Sequence, residues 1–274
     1  MPEITLVLGV DAKTLPQFEV SHRTWKLHQP KIWSWPWVVF YDGTIETMPL
    51  MLDTLKAKGA FPQNAKFVPW PHCVGGNSRS PKYENQREKM LTGFCYVPAE
   101  HVETPFWMKL DTDSVCITPK PMYEPEWFER DASGRHLAWI ASAWPYSKPG
   151  SQPGKLDDWG DGVPELADKP RLNVPVEPGA GKAFHPRMAS WMSYYSLEFT
   201  QFAAGLAERS VGRGLVPVPS QDGYHFYVAH RYGWPYKTSK MKRRGWTNVP
   251  RLSSLIETVQ TIMRGEAAES ICDS

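Results

Sequence analysis

The sequence is short of cysteine, of net charge and of long apolar runs. Its 274 residues include four cysteines, Cys73, Cys95, Cys116 and Cys272, with no Cys-x-x-Cys spacing among them. That argues against a zinc site built on paired thiolates and against a disulfide framework, and it fits a reducing compartment. Lysine and arginine number 31 against 29 aspartates and glutamates, a formal charge of +2, so no global field marks out a polyanionic partner. No apolar run reaches the length that a membrane-spanning helix needs, and the amino terminus lacks a basic segment followed by a signal-type apolar stretch. The expectation is a soluble cytoplasmic protein, bacterial or phage-encoded, with no membrane partner.

What is present in excess is tryptophan and proline, 13 and 26 residues. Together they suggest long ordered loops with aromatic surfaces, of the kind that line carbohydrate or nucleobase sites, or a core filled with indole. Taken in order, Ile4 to Val10 reads as a strand ending on Asp11, followed by a helix that stops before Pro30. Trp37 to Tyr41 is a second strand closing on Asp42, with a helix from Ile45 to Lys58 and Gly59 as its stop. Lys66 to Val68 continues the alternation, and Asn85 to Tyr96 predicts a third helix. It leads into Phe106-Trp107-Met108-Lys109-Leu110, which ends on Asp111-Thr112-Asp113. Such alternation predicts an α/β fold, one mostly parallel sheet with helices on both faces, and a single domain over 1–274. Within it the expected divisions are 1–117, 135–233 with its loop over 145–182, and 234–274, a basic segment and a terminal helix.

After the strand Leu137 to Trp144 the composition changes. Residues 145–182 are dense in proline and glycine, and a connection of that length is functional or unstructured. Arg187 to Glu208 has Met188, Trp191, Met192, Tyr195, Phe199 and Phe202 at helical spacing and predicts one helix. Gln221 to Gly233 predicts another, after a short strand at Leu215 to Pro219. Near the end, Ser254-x-x-Glu257 reads as a capping box, with Leu252, Leu255, Ile256, Val259 and Ile262 on one apolar face.

The chemistry concentrates at Asp111 and Asp113. Acids at i and i+2 beyond the carboxyl end of a buried strand stand where open α/β sheets take ligands, and both can reach one hard cation that keeps positions open for phosphate oxygens. The same Asp-Thr-Asp-Ser is also good turn chemistry. Asp11 and Asp42 stand at two other strand ends and complete a plausible nucleotide cleft. Arg87 and Lys89, on the helix before the metal strand, are candidates to hold phosphate.

Several of these pieces resemble the GT-A-fold glycosyltransferases, especially the inverting galactosyltransferase and Fringe-like enzymes. Trp107-Met108-Lys109-Leu110-Asp111-Thr112-Asp113 is similar to their Asp-x-Asp strand, and Arg23-Thr24-Trp25 to an Arg-x-Thr-Trp in the first helix. Val38 to Gly43 is similar to the second-strand motif whose acid contacts uridine. Gly179-Ala180-Gly181 resembles the glycine-rich strand that approaches donor and acceptor, and Gln221-Asp222 with Gly233 resembles the Glu-Asp opening of a helix closed by glycine. The resemblance implies a nucleotide-binding half over 1–117, an acceptor and catalytic half over 135–233, a UDP-sugar donor, Mn2+ or Mg2+ on Asp111 and Asp113, and Asp222 as general base. Two departures are plain: Gln221 replaces an acid, and Lys182 replaces a tyrosine. The family's third metal ligand, a histidine after the base helix, has no clear counterpart, because no histidine follows His230. His225 and His230 lie on the helix itself, and His230 stands as the candidate third ligand. His230-Arg231-Tyr232-Gly233 with Lys237 also resembles, one residue out of step, a motif of retaining glycogenin-like enzymes.

For the acceptor, Lys237, Lys240, Lys242, Arg243 and Arg244 lie among Trp234, Tyr236 and Trp246, a mixture suited to nucleic acid. A hydroxymethylated base in phage DNA is one expectation, and a carbohydrate or lipid hydroxyl is the other. A sugar-phosphate nucleotidyltransferase ranks lower, because Gly9-Val10-Asp11-Ala12-Lys13 offers one glycine and one lysine where such enzymes carry a glycine-rich basic loop. A non-catalytic sugar-binding module is the third class.

Overall fold

The computed structural model describes residues 3–70, 93–144, 160–169, 188–211, 221–238 and 245–265. The elements in order are β1 (Ile4–Val10), α1 (Leu15–His28), α2 (Pro30–Trp33), β2 (Trp37–Asp42), α3 (Met48–Ala57) and β3 (Ala65–Trp70). Then come α4 (93–101), β4 (Phe106–Leu110), β5 (Ser114–Cys116), β6 (Trp139–Trp144) and β7 (Met188–Ser196). They are followed by α5 (Leu197–Val211), α6 (Gln221–Arg231), β8 (Lys237–Thr238), β9 (Trp246–Asn248) and α7 (Leu252–Met263).

Seven strands form one sheet in the order β3-β2-β1-β4-β7-β6-β8. The β1, β2, β3 and β4 pairings are parallel, whereas β7 runs antiparallel to both β4 and β6. Strands β2 and β4 are buried along their whole length, as expected of a sheet covered on both faces. Side chains alternate between two cores. Leu6, Leu8, Val10, Met108 and Leu110 pack with α1 and α3 on one side, and Val7, Trp107 and Tyr195 pack with α4, α5 and α6 on the other.

Where the spacing predicts one helix over Arg187 to Glu208, the chain makes β7 and then α5. Serines and aromatics such as Ser193-Tyr194-Tyr195-Ser196 are indifferent helix formers, and flanking strands on both sides supply a ladder that outweighs the helical spacing. Tyr194 and Tyr195 take opposite faces, in the two separate cores. At the other end, α7 begins at Leu252 with Arg251 as its cap and no side-chain capping bond, so Ser254 sits inside the helix instead of opening it. Leu255, Val259 and Ile262 are buried with Val115 and Ile117, while Leu252 and Ile256 stay 40% and 38% exposed.

Part of the Pro/Gly-rich connection is docked. Val163 and Leu166 are buried, and Arg231, near the end of α6, donates to the carbonyls of Leu166 and Lys169 at 2.7 and 2.6 Å. Gly160 is held so close to the Tyr227 hydroxyl that a Cβ would lie 2.1 Å from its oxygen. The short strand predicted at Leu215 to Pro219 and the start of the helix predicted from Asn85 lie outside the described residues.

Candidate functional site

The parallel pairing of β2, β1 and β4 brings three predicted acids to one sheet edge. Val10 pairs with Tyr41, which sets Asp11 beside Asp42, and Leu8 pairs with Leu110, which sets Asp111 one strand over. Asp11 uses Oδ1 to accept from the backbone N–H groups of Lys13 and Thr14 and from the Thr14 hydroxyl, at 2.9, 2.7 and 2.9 Å. Asp42 Oδ1 accepts from the Thr44 N–H and hydroxyl at 3.0 and 2.6 Å. Each therefore shapes its own turn with one oxygen.

The Asp111-Thr112-Asp113 turn is strapped from two sides. From α1, Ser21 Oγ donates to the Thr112 carbonyl at 2.7 Å, and Trp25 Nε1 donates to the Ser114 carbonyl at 2.9 Å. Thr24 Oγ1 accepts from the Cys116 N–H at 3.0 Å. The Thr-Trp pair that carries the first-helix resemblance is thus the strap on the strand beyond the acids. From the other side comes β9, antiparallel to β5 with Ser114 opposite Asn248. Asn248 Nδ2 donates to Asp111 Oδ2 at 3.2 Å and to Asp113 Oδ1 at 3.0 Å, while its Oδ1 accepts from Ser114 Oγ at 3.0 Å. Lys109 Nζ lies 3.4 Å from the remaining Asp111 oxygen. The two carboxylates therefore converge on one point, marked by a single amide.

That convergence has an electrostatic signature. Burial and, second to it, the negative charge of Asp111 push the Asp113 carboxyl up to about 6. Cation uptake needs that proton gone. Mn2+ affinity is therefore expected to fall close to tenfold per pH unit below about pH 6, and to level off above it. Between the ordinary aspartate value of 3.8, which the unfolded chain keeps, and about 6, the folded protein also holds a proton that the unfolded chain has released. Metal-free stability should then decline as pH rises from about 4 to about 6. Manganese titrations followed by electron paramagnetic resonance from pH 5 to 7.5, with urea unfolding in chelator, read both. An affinity flat across that range would contradict the assignment.

His230 is not brought to this pair. Its ring stacks on Phe226 at 6.0 Å, with Nδ1 3.5 Å from the Tyr236 hydroxyl. Among the described residues no three His, Cys, Asp or Glu side chains gather as a metal cluster. The third residue at the acids is Asn248, which sequence reasoning missed, since nothing local in Trp246-Thr247-Asn248 points to a site 137 residues back. Asp222 is the second residue of α6. Arg87, Lys89, Gly179, Ala180, Gly181, Lys240, Lys242, Arg243 and Arg244 lie outside the described residues. Lys237, on the edge strand β8, faces Glu124 at 3.9 Å and the Trp127 ring at 5.9 Å. No described helix is long and apolar enough to cross a membrane.

No family profile matches the sequence, and no curated protein matches it. Solved structures do. Core-mannan synthase A (CmsA/Ktr4) from Aspergillus fumigatus, in its Mn/GDP form, superposes with a TM-score of 0.55 at 10% identity, covering 91% of this chain and 75% of that one. The mannosyltransferase Ktr4p from S. cerevisiae, in complex with GDP, gives 0.52 at 11% identity over 91% and 71%. With the strand order, the likeness shows that the chain has the GT-A glycosyltransferase fold.

Proposed function

We propose that the protein is a metal-dependent glycosyltransferase that moves a sugar from a nucleotide sugar to an acceptor hydroxyl. The observation that carries this reading is the pair Asp111 and Asp113, converging at the end of β4 on the Asn248 amide, with the Asp113 carboxyl raised by burial and then by the Asp111 charge. All their donor atoms are hard oxygens, which suit Mn2+ or Mg2+. When bound, such a cation would neutralise the diphosphate as it leaves. Asp111 and Asp113 would hold it, and Asn248 would join them by turning its amide oxygen inward. Asp11 and Asp42, at the neighbouring strand ends, would line the nucleoside.

In the transfer, the acceptor oxygen bonds to the anomeric carbon as the bond to the diphosphate oxygen breaks. Asp222 receives the hydroxyl proton, and the sugar is inverted. The Asp42 motif favours a uridine nucleotide. The solved neighbours carry GDP, so UDP-sugars and GDP-sugars are the two arms of the test. For the acceptor we take a saccharide hydroxyl, because Lys237 is turned to Glu124 and Trp127 and the neighbours are named as a mannan synthase and a mannosyltransferase. Duplex DNA containing hydroxymethylated bases is the contrasting substrate.

The deciding experiment incubates the protein with a panel of UDP- and GDP-sugars and measures release of nucleoside diphosphate with Mn2+, with Mg2+ and in EDTA. At least one donor should be turned over in metal and none in EDTA. Failure of every donor to bind by calorimetry in Mn2+ would reject the reading and leave a non-catalytic module.

A further inference from the structure

A strand buried on both faces has little use for an ammonium group. Yet β4 reads Phe-Trp-Met-Lys-Leu with all five residues buried, and Lys109 is only 8% exposed. It shares a face with Trp107. Its Nζ stands 3.4 Å from Asp111 Oδ1 and 5.1 Å from the centre of the Phe94 ring on α4. His225, on α6, faces the same place without adding charge, since burial first and the Lys109 charge second push its imidazole down to about 3. Withdrawing a cation from water is costly, and an apolar residue of similar length would pack here at least as well. Packing therefore does not account for Lys109.

Its position does. Asp111 and Asp113 alone would present two negative charges and would take up a divalent cation unaided. An ammonium 3.4 Å from Asp111 cancels much of one charge and repels the incoming metal. A diphosphate reverses the balance, because its own charges absorb the surplus of metal and ammonium together. Each then binds better in the presence of the other, and the coupling is reciprocal.

We propose that Lys109 makes cation binding conditional on the donor diphosphate, so that metal and nucleotide enter the site as a coupled pair. The proposal rests on the metal reading of Asp111 and Asp113. Its test is a set of Mn2+ titrations by electron paramagnetic resonance and calorimetry, with Mn2+ alone, with UDP and with GDP. In the parent protein one of the two nucleotides should raise Mn2+ affinity about tenfold or more. Lys109→Met should raise affinity for Mn2+ alone about tenfold and reduce the nucleotide enhancement to about twofold. Lys109→Arg keeps the charge and should keep the parental pattern. Lys109→Gln, neutral but polar, repeats the charge deletion if Met perturbs the fold.

Parental affinity and enhancement in both neutral variants would overturn the proposal. So would loss of coupling in Lys109→Arg, which would point to shape instead of charge, and so would a parent protein with no enhancement by either nucleotide. Asp111→Ala separates the two levels of the argument. If it takes up Mn2+ as the parent does, the metal reading itself falls.

Discussion

Replacing Asp113 by alanine is expected to lower transfer by roughly a thousandfold or more while leaving the fold intact, and Asp111→Ala should do the same. The two carboxylates stand at a strand end, in the turn after β4, outside the apolar cores. Asn248 donates to both, and the Lys109 ammonium lies beside Asp111. Removing one deletes a cation ligand without opening a cavity in the core. Burial first and the Asp111 charge second raise the Asp113 carboxyl, so removing that carboxyl relieves both and offsets its lost hydrogen bond. For Asp113→Ala a urea midpoint near the parental value is the accompanying result, whereas Asp111→Ala removes the carboxylate 3.4 Å from the buried Lys109 ammonium and should lower the midpoint. Mn2+ uptake should weaken by at least about tenfold in both. EDTA should reproduce the loss in the parent protein. Full activity in EDTA, or parental turnover in both alanine variants, would remove the metal from the mechanism.

The parts of this site that were legible in the sequence are those written locally. A buried central strand must be apolar throughout, so the abrupt change from Leu110 to Asp111, or from Val10 to Asp11, announces the carboxyl end of a strand. Parallel connections then bring successive strand ends to one edge, which is why Asp11, Asp42 and Asp111 come into line. What was not legible depends on pairing at long range. Asn248 reaches the acids only because β9 lies against β5, and its own neighbourhood is a basic segment with no periodicity. The strand β7 was hidden for a different reason, since aromatic residues at spacings of three and four fit a helix as well as a strand, and only the β4 and β6 edges decide between them. Lys109 was in plain view, a lysine inside an apolar run, and such a break in pattern is itself a signal of function.

Asp222→Asn should cut the transfer rate about a hundredfold or more with Mn2+ and nucleotide affinities unchanged. Asp222 is the second residue of α6, a helix closed by Gly233 at a φ of 67°, and three residues on from it His225 feels the charge of Lys109. The first half of α6 packs with Trp107 and Tyr195 on the sheet face that also carries Lys109. The resemblance gives the acid that opens this helix the role of general base, which accepts the proton of the acceptor hydroxyl. The competing role is local. An acid in the first turn favours the helix dipole by about 0.3–1 kcal/mol, and Asn forfeits only that charge. Stability and rate separate the two. A base removed leaves the unfolding midpoint within that small margin and slows the chemical step, most visibly as loss of the limb of the pH–rate profile that reports deprotonation of the base. The product anomer adds a second check, since a base on the acceptor side implies inversion. Near-parental transfer by Asp222→Asn, or a product that retains the donor's configuration, would strip Asp222 of the base role and leave it a helix-opening acid.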